Sequence, residues 1–215
     1  MSLNYKHTYR KNLPHIQPPG ATLFVTFRLA GTLPLHVVES LRQEAELREK
    51  QIEQTADPAE RDKLLYEERK RQFSRYDALL DSCAHGPTWL KQPEIAQKVQ
   101  SSIHFLDQKM YDLDTYTIMS NHVHLNFTPL EDENGGYIAL QRITYSLKRF
   151  AATQANKILH RRGQFWQHES YDHIVRDEAE LQRIRRYILL NPVKAGLVED
   201  ERDWPYSWAK WWTDP

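Results

Sequence analysis

The residues of this chain that could do chemistry lie in two short segments. His122 and His124 flank one apolar residue in a run that otherwise has strand character. Because a β-strand repeats every two residues, both imidazoles should leave the same face of a sheet. Two neutral imidazoles side by side can hold one divalent metal ion. The alternative is that both histidines are structural residues of a strand.

The second segment, residues 186–194, contains a tyrosine and an amide four positions apart, Tyr187 and Asn191. That spacing places both side chains on one face of a helix. Two imidazoles leave a metal site incomplete, and an amide oxygen is a suitable further ligand for Mg²⁺ or Mn²⁺. If Asn191 reaches the metal, Tyr187 must lie close to it. Alternatively, Asn191 caps a helix before Pro192 and Tyr187 is a half-buried aromatic residue.

A basic segment is a candidate for nucleic-acid binding. Residues 134–168 contain no Asp or Glu, and lysines and arginines alternate there with aromatic residues. Such a pattern suits a phosphate backbone with unstacked bases, although an ordinary solvated helix would also explain it. The candidate DNA-binding residues are Arg142, Lys148, Arg149, Lys157, Arg161 and Arg162.

Composition sets wider limits. The formal net charge is +0, so overall charge gives no argument for nucleic acid, whereas 27% charged and 40% hydrophobic residues are typical of a globular protein. No apolar run approaches the roughly 20 residues that span a bilayer, and no secretory signal is recognisable. The single Cys83 cannot form an internal disulfide. We therefore expect a cytoplasmic protein without a membrane partner.

The chemical segments must be positioned by a mixed set of elements. Strands are predicted at 21–29, 112–119, 122–129 and 165–175, with helices at 93–110, 137–160 and from 177 to about 190. A charged helical hairpin, divided at Asp57-Pro58, is inserted at about residues 36–90 of one domain covering residues 1–215. Without that insertion the order is βαββαβ, which predicts an α+β, ferredoxin-like antiparallel sheet followed by a C-terminal helix that carries Tyr187.

In that fold, helices cover one face of the sheet and the other face is free. Val123, Leu125 and Phe127 should point into the core. The alternate residues of the same strand should point onto the open face. These are His122, His124, Asn126 and Thr128.

Several motifs in this order resemble a known family. His-Val-His at 122–124, preceded by Met-Ser-Asn, resembles the His-hydrophobic-His motif of the HUH endonucleases. The wider pattern is similar to the REP-associated tyrosine transposases, which are relatives of the single-tyrosine insertion-sequence transposases. The matching phrases lie at residues 13–29, 165–167, 171–177, 187–196 and 203–205.

The resemblance implies a role for each matching residue. His122 and His124 would be metal ligands, Asn191 the third ligand, and Tyr187 the nucleophile, with Mg²⁺ or Mn²⁺ as the cofactor. Many relatives have another tyrosine or histidine between the last two positions, whereas here residues 188–190 are Ile-Leu-Leu, so no second tyrosine competes.

The reaction implied is cleavage and rejoining of single-stranded DNA beside a folded hairpin. It would proceed through a 5′-phosphotyrosine and a free 3′-hydroxyl, in a monomer or homodimer. The basic residues of 142–162 and a basic arm within residues 1–20 would contact the DNA backbone.

Two other functions remain open from the sequence. A non-catalytic module could bind single-stranded nucleic acid on an open sheet face, but that face should then carry aromatic residues. The predicted face carries His122, His124, Asn126 and Thr128 instead, which favours the enzyme. The second alternative is a metal-dependent hydrolase that uses water, with Tyr187 in a structural role.

Overall fold

The computed structural model describes residues 8–10, 14–16 and 20–212. These residues divide into two compact units, one comprising residues up to Ala30 together with those from Thr88 onward, and the other Gly31–Pro87. The strands are β1 (Thr8–Arg10), β2 (Pro14–Ile16), β3 (Leu23–Leu29), β4 (Tyr111–Ile118), β5 (His122–Pro129), β6 (Trp166–Ile174) and β7 (Ser207–Ala209). The helices are α1 (Leu35–Ile52), α2 (Pro58–Asp81), α3 (Pro93–Leu106), α4 (Leu140–Ile158) and α5 (Glu178–Lys194).

The first unit is built on a five-stranded antiparallel sheet with the order β6-β3-β5-β4-β7. Apart from the edge strand β7, the chain order is strand, helix, strand, strand, helix, strand, and the two halves interleave in space. This arrangement is the split βαβ of a ferredoxin-like fold. The predicted α+β fold class is confirmed, while β7 was missed because three residues are too few to show alternation.

One face of the sheet carries the hydrophobic core. Val123, Leu125 and Phe127 are fully buried there beneath α3 and α4. Ile95, Val99 and Ile103 of α3 recur every four residues, so they form one apolar stripe along that helix. Each large apolar side chain buried in this way contributes roughly 1.5–3 kcal/mol, which fixes the register of β5 and therefore the side from which its histidines leave.

The opposite face is covered, and the prediction that it would be open was wrong. Helix α5 packs against β4 and β5 on that side. His122, His124 and Asn126 are fully buried, and Thr128 is partly buried. The sequence pattern gives the direction in which a strand residue points, but it does not reveal that a later helix will pack over it.

The second unit is a pair of helices. Asp57 caps α2 by accepting a hydrogen bond from the backbone N–H of Ala59 at 3.1 Å, and Pro58 occupies the first turn. Glu44 of α1 accepts hydrogen bonds from Arg71 and Arg75 of α2. The predicted division at Asp57-Pro58 is confirmed.

The C-terminal segment packs back on the sheet of the first unit. Trp204 Nε1 donates to the carbonyl of Ile118 at 3.0 Å, and Trp208 stacks on Tyr116. Within the described ranges, no helix is both long enough and apolar enough to cross a membrane. Most of the basic N-terminal arm, including Lys6 and Lys11, lies outside the described residues.

Candidate active site

The two histidines of β5 converge on one point. Their Nε2 atoms lie 3.0 Å apart, and the ring centroids are separated by 4.6 Å. Cross-strand pairing places Thr26 of β3 opposite His124 and Thr117 of β4 on its other side. As the two-residue period of a strand predicts, both imidazoles face the same side of the sheet.

Hydrogen bonds to the outer nitrogens orient both rings. His122 Nδ1 lies 2.6 Å from Asn121 Oδ1 in the tight β4–β5 turn, and His124 Nδ1 lies 2.8 Å from Thr26 Oγ1. A carbonyl oxygen can only accept, so with this amide orientation His122 is protonated on Nδ1 and its Nε2 carries a lone pair. A second partner that fixes the tautomer is the usual arrangement around a metal-binding histidine.

Burial keeps both rings neutral. It lowers the pKa of His122 to about 3. The pKa of His124 is lowered by burial first, then by the neighbouring His122 and by the charge of Lys194. Neutral imidazoles at physiological pH retain the lone pairs that a metal ion requires.

Helix α5 brings Tyr187 and Asn191 to the same place. Asp177 caps the helix by accepting from the N–H of Glu180 at 2.7 Å. Tyr187 packs edge-on against His124 and Phe24, with ring centroids 5.4 and 6.1 Å away, and its hydroxyl oxygen is buried. The predicted i, i+4 pair therefore lies on one helix face and over the histidines.

Helix α5 runs one turn further than its predicted end at about residue 190. The helix continues to Lys194, with Pro192 inside its last turn. A proline there leaves one backbone carbonyl of the preceding turn without its intrahelical donor, but the chain closes the helix with the N–H of Ala195 on the carbonyl of Asn191 at 3.0 Å. Gly196, at φ 66°, then takes the left-handed conformation that ends many helices.

The side-chain oxygen of Asn191, which lacks a hydrogen-bond partner in the described part of the chain, supports a metal site. Its side chain is 1% exposed, and Nδ2 lies 3.3 Å from His124 Nε2. Its Oδ1 is buried and has no hydrogen-bond partner among the described residues. A buried amide oxygen without a partner is costly, and rotating the amide would place that oxygen beside the imidazole nitrogens. The donor set of two neutral imidazoles and one amide oxygen fits a divalent ion such as Mg²⁺ or Mn²⁺.

An ion pair that the sequence analysis missed holds α5 on the sheet. Arg185, two residues before Tyr187, forms a bidentate pair with Asp114 of β4. Asn126 of β5 also donates to Asp114, at 2.8 Å. Burial raises the pKa of Asp114, but hydrogen bonds from Arg185, Thr115 and Asn126 outweigh it, so the pKa lies below its usual value. Only the tertiary pairing of residues 71 positions apart reveals this contact.

On the other flank, α5 is joined to β6. Glu180 is 4% exposed and accepts from the backbone N–H of Arg176 at 2.9 Å. His173 Nε2 lies 3.0 Å from the same carboxylate. The helix segment that carries Tyr187 is thus anchored to β6 before it and to β4 beside it.

The six basic candidates fall into two groups. Arg142, Arg149, Lys157 and Arg162 are exposed on or just after α4. Lys148 instead donates to the carbonyls of Gln167 and His168 and to Ser170 Oγ, which uses all three of its protons.

Arg161 is also occupied within the chain. It donates to Asn156 Oδ1 and to the carbonyl of Gln164, and its guanidinium lies 4.3 Å from the Trp89 ring centroid. DNA contact by any of the six remains a prediction, with the four exposed residues the better placed.

Comparison with known proteins gives a relative. Over 95 residues the chain is 34% identical to a Haemophilus influenzae protein named "Putative REP-associated tyrosine transposase". Over that stretch the chain is similar to a protein named as a REP-associated tyrosine transposase. The resemblance predicted from the motifs is thereby confirmed. The match covers 42% of this chain and spans about half, 54%, of that relative.

A solved structure of a REP-associated tyrosine transposase bound to a REP hairpin is also similar. Its TM-score is 0.44 at 17% identity, with 93% of this chain and 80% of that chain covered. No protein-family model matches the chain.

Proposed function

We propose that this protein cleaves and rejoins single-stranded DNA, with Tyr187 as the nucleophile and a divalent ion held by His122, His124 and Asn191. The observation that carries the proposal is the convergence of these four side chains from two distant segments. The His pair lies 3.0 Å apart through Nε2, Asn191 lies 3.3 Å from His124, and the Tyr187 ring packs on His124. The similarity to a curated protein named as a transposase supports the reaction class.

In the proposed reaction, Tyr187 Oη attacks the scissile phosphorus and the bond from phosphorus to the 3′-oxygen breaks. The phenol proton passes to solvent, and the departing 3′-oxygen takes up a proton to become a hydroxyl. The 5′-phosphate stays on Tyr187 as a diester, so attack by another 3′-hydroxyl reverses the step without ATP. A free tyrosine has a pKa of about 10 and is a weak nucleophile, so positioning by α5 matters. When bound, the metal would supply positive charge at the phosphate oxygens.

The substrate we infer is a single strand next to a hairpin, by analogy with the family. Arg142, Arg149, Lys157 and Arg162 form an exposed basic surface on the same unit as the site, suited to the backbone of such a strand. A module that only binds nucleic acid would not need two buried, neutral histidines aimed at one point.

The test is end-labelled DNA with Mg²⁺ or Mn²⁺. A strand labelled at its 3′ end should give a labelled protein band on a denaturing gel, and a strand labelled at its 5′ end should give only a shorter free product. Tyr187→Phe should abolish both signals and keep DNA binding within about threefold, because it removes only the attacking oxygen. Tyr171→Phe is the matched control, since Tyr171 packs on the same Phe24 ring. Cleavage without any protein adduct would support the water-using hydrolase instead.

A further inference from the structure

Lys194 is a cation beside the candidate site to which neither the motifs nor the family resemblance gives a role. It lies in the last turn of α5, seven residues after Tyr187 and three after Asn191. A helix turns once in 3.6 residues, so positions 187, 191 and 194 form one stripe. The stripe therefore carries a phenol, an amide and an ammonium group in order along α5.

The ammonium group lies close to the ring of Tyr187. Lys194 Nζ is 4.9 Å from the centroid of the Tyr187 ring. Its charge also contributes, after burial and His122, to lowering the pKa of His124. Lys194 is exposed and can therefore reach a bound strand.

The charge of Lys194 is not neutralised locally. Within residues 20–212, no carboxylate lies at ion-pair distance from Lys194 Nζ. The two histidines beside it are neutral, so Lys194 adds a positive charge that they do not supply.

We propose that Lys194 is a catalytic residue that donates to a non-bridging oxygen of the phosphate that Tyr187 attacks, and that it holds the same phosphate in the covalent intermediate. The inference rests on the function proposed above. Without DNA, the ammonium group rests against the Tyr187 ring in a cation–π contact, which is weak at an exposed position. A phosphate offers a stronger, charge-assisted hydrogen bond, so the lysine should transfer to it when the strand binds.

A purely structural role is the alternative for Lys194, because a lysine in the last turn of a helix also interacts favourably with the helix dipole. That role predicts a small loss of thermal stability and no effect on the rate for bound DNA. The two explanations therefore differ in which measurement changes.

The experiment compares Lys194→Ala, Lys194→Arg and Lys98→Ala, the last being an exposed lysine of α3 in the same unit. Single-turnover cleavage is measured at saturating hairpin-bearing single-stranded DNA with Mg²⁺, and affinity is measured in the Tyr187→Phe background. Lys194→Ala should slow cleavage roughly 10- to 100-fold, as expected for one charge-assisted hydrogen bond, while affinity changes less than about threefold. Lys194→Arg should recover most of the rate, and Lys98→Ala should match the parent. A Lys194→Ala rate within twofold of the parent, or a loss explained by affinity alone, would overturn the proposal.

A second measurement separates this proposal from the proposed function. Inorganic phosphate is titrated into the Mg²⁺-loaded parent while the side-chain NMR signals of its lysines are followed. The Lys194 signal should shift with saturation and the Lys98 signal should not. If the parent fails to cleave DNA, the proposed function fails and this titration alone decides the phosphate contact. Equal, unsaturated shifts of both lysines would reject it.

Discussion

Lowering the pH should destabilise the metal-free protein through its two buried site histidines. Burial lowers the pKa of His122 to about 3, and that of His124 also lies below the ordinary 6.5. Below the ordinary pKa of histidine, the unfolded chain therefore binds protons at these two residues and the folded protein does not. The stability that neutral histidines provide is complete above about pH 6.5 and is lost as the pH falls toward the folded values.

The magnitude follows from the same pKa values. At pH 5 His122 costs about 2 kcal/mol relative to pH 8, because the unfolded chain takes up a proton at this position below about pH 6.5 and the folded protein does not. His124 changes the free energy of unfolding in the same direction, and about 2 kcal/mol is already a sizeable part of the roughly 5–15 kcal/mol that stabilises a typical domain. Burial also lowers the pKa values of His104 and His173. Their contribution to the pH dependence of the unfolding free energy is the same in all the variants compared.

The assay is urea unfolding at pH 8 and pH 5 with a chelator present. The comparison is between the parent, His122→Gln and the exposed-site control His168→Gln. His122→Gln should lose about 2 kcal/mol of the pH-dependent difference, whatever its absolute stability, and His168→Gln should retain the parent's difference. A parent difference below about 1 kcal/mol, or an unchanged difference in His122→Gln, would refute the buried, neutral histidine pair.

Three further changes have distinct expected outcomes. His124→Ala should abolish metal-dependent cleavage and also lower the free energy of unfolding by about 2–4 kcal/mol in urea titration, because the ring is fully buried; normal cleavage in this variant would exclude the metal site. Asp114→Asn should lower the free energy of unfolding by roughly 1.5–3 kcal/mol and slow cleavage, because the ion pair that holds α5 on β4 is lost. Parental stability and cleavage rate in this variant would show that the ion pair does not hold α5 in place. Arg149→Ala should flatten the log–log salt dependence of DNA affinity by roughly 0.7, and the control Lys63→Ala on the helical pair should leave the slope unchanged; a parental slope for Arg149→Ala would remove that residue from the backbone path.

Local patterns in the sequence were enough to predict most of the elements. The alternation in β5 predicted which residues enter the core, and the i, i+4 spacing of Tyr187 and Asn191 predicted their shared face. Both patterns are periodic and depend on neighbours close in sequence. The same is true of the division at Asp57-Pro58, since the residue before a proline avoids the helical region.

What the sequence could not provide are contacts between distant segments. The docking of α5 buried a face expected to be open, and the Asp114–Arg185 pair became visible only when β4 and α5 met. Lys148 looked like a DNA contact because its charge was visible, while the strand carbonyls that take its protons were not. A charged side chain in a sequence does not reveal whether its partner is solvent, the protein itself or a ligand.

The most direct test of the proposed mechanism is to locate the covalent bond. The trapped DNA–protein adduct would be digested with nuclease and trypsin and analysed by tandem mass spectrometry. Trypsin cuts after Arg186 and Lys194, so Tyr187 lies in the eight-residue peptide 187–194, in which it is the only tyrosine. We expect that peptide to carry a 5′-linked nucleotide phosphate on Tyr187. A nucleotide on Tyr171, or cleaved DNA with no modified peptide, would contradict the mechanism.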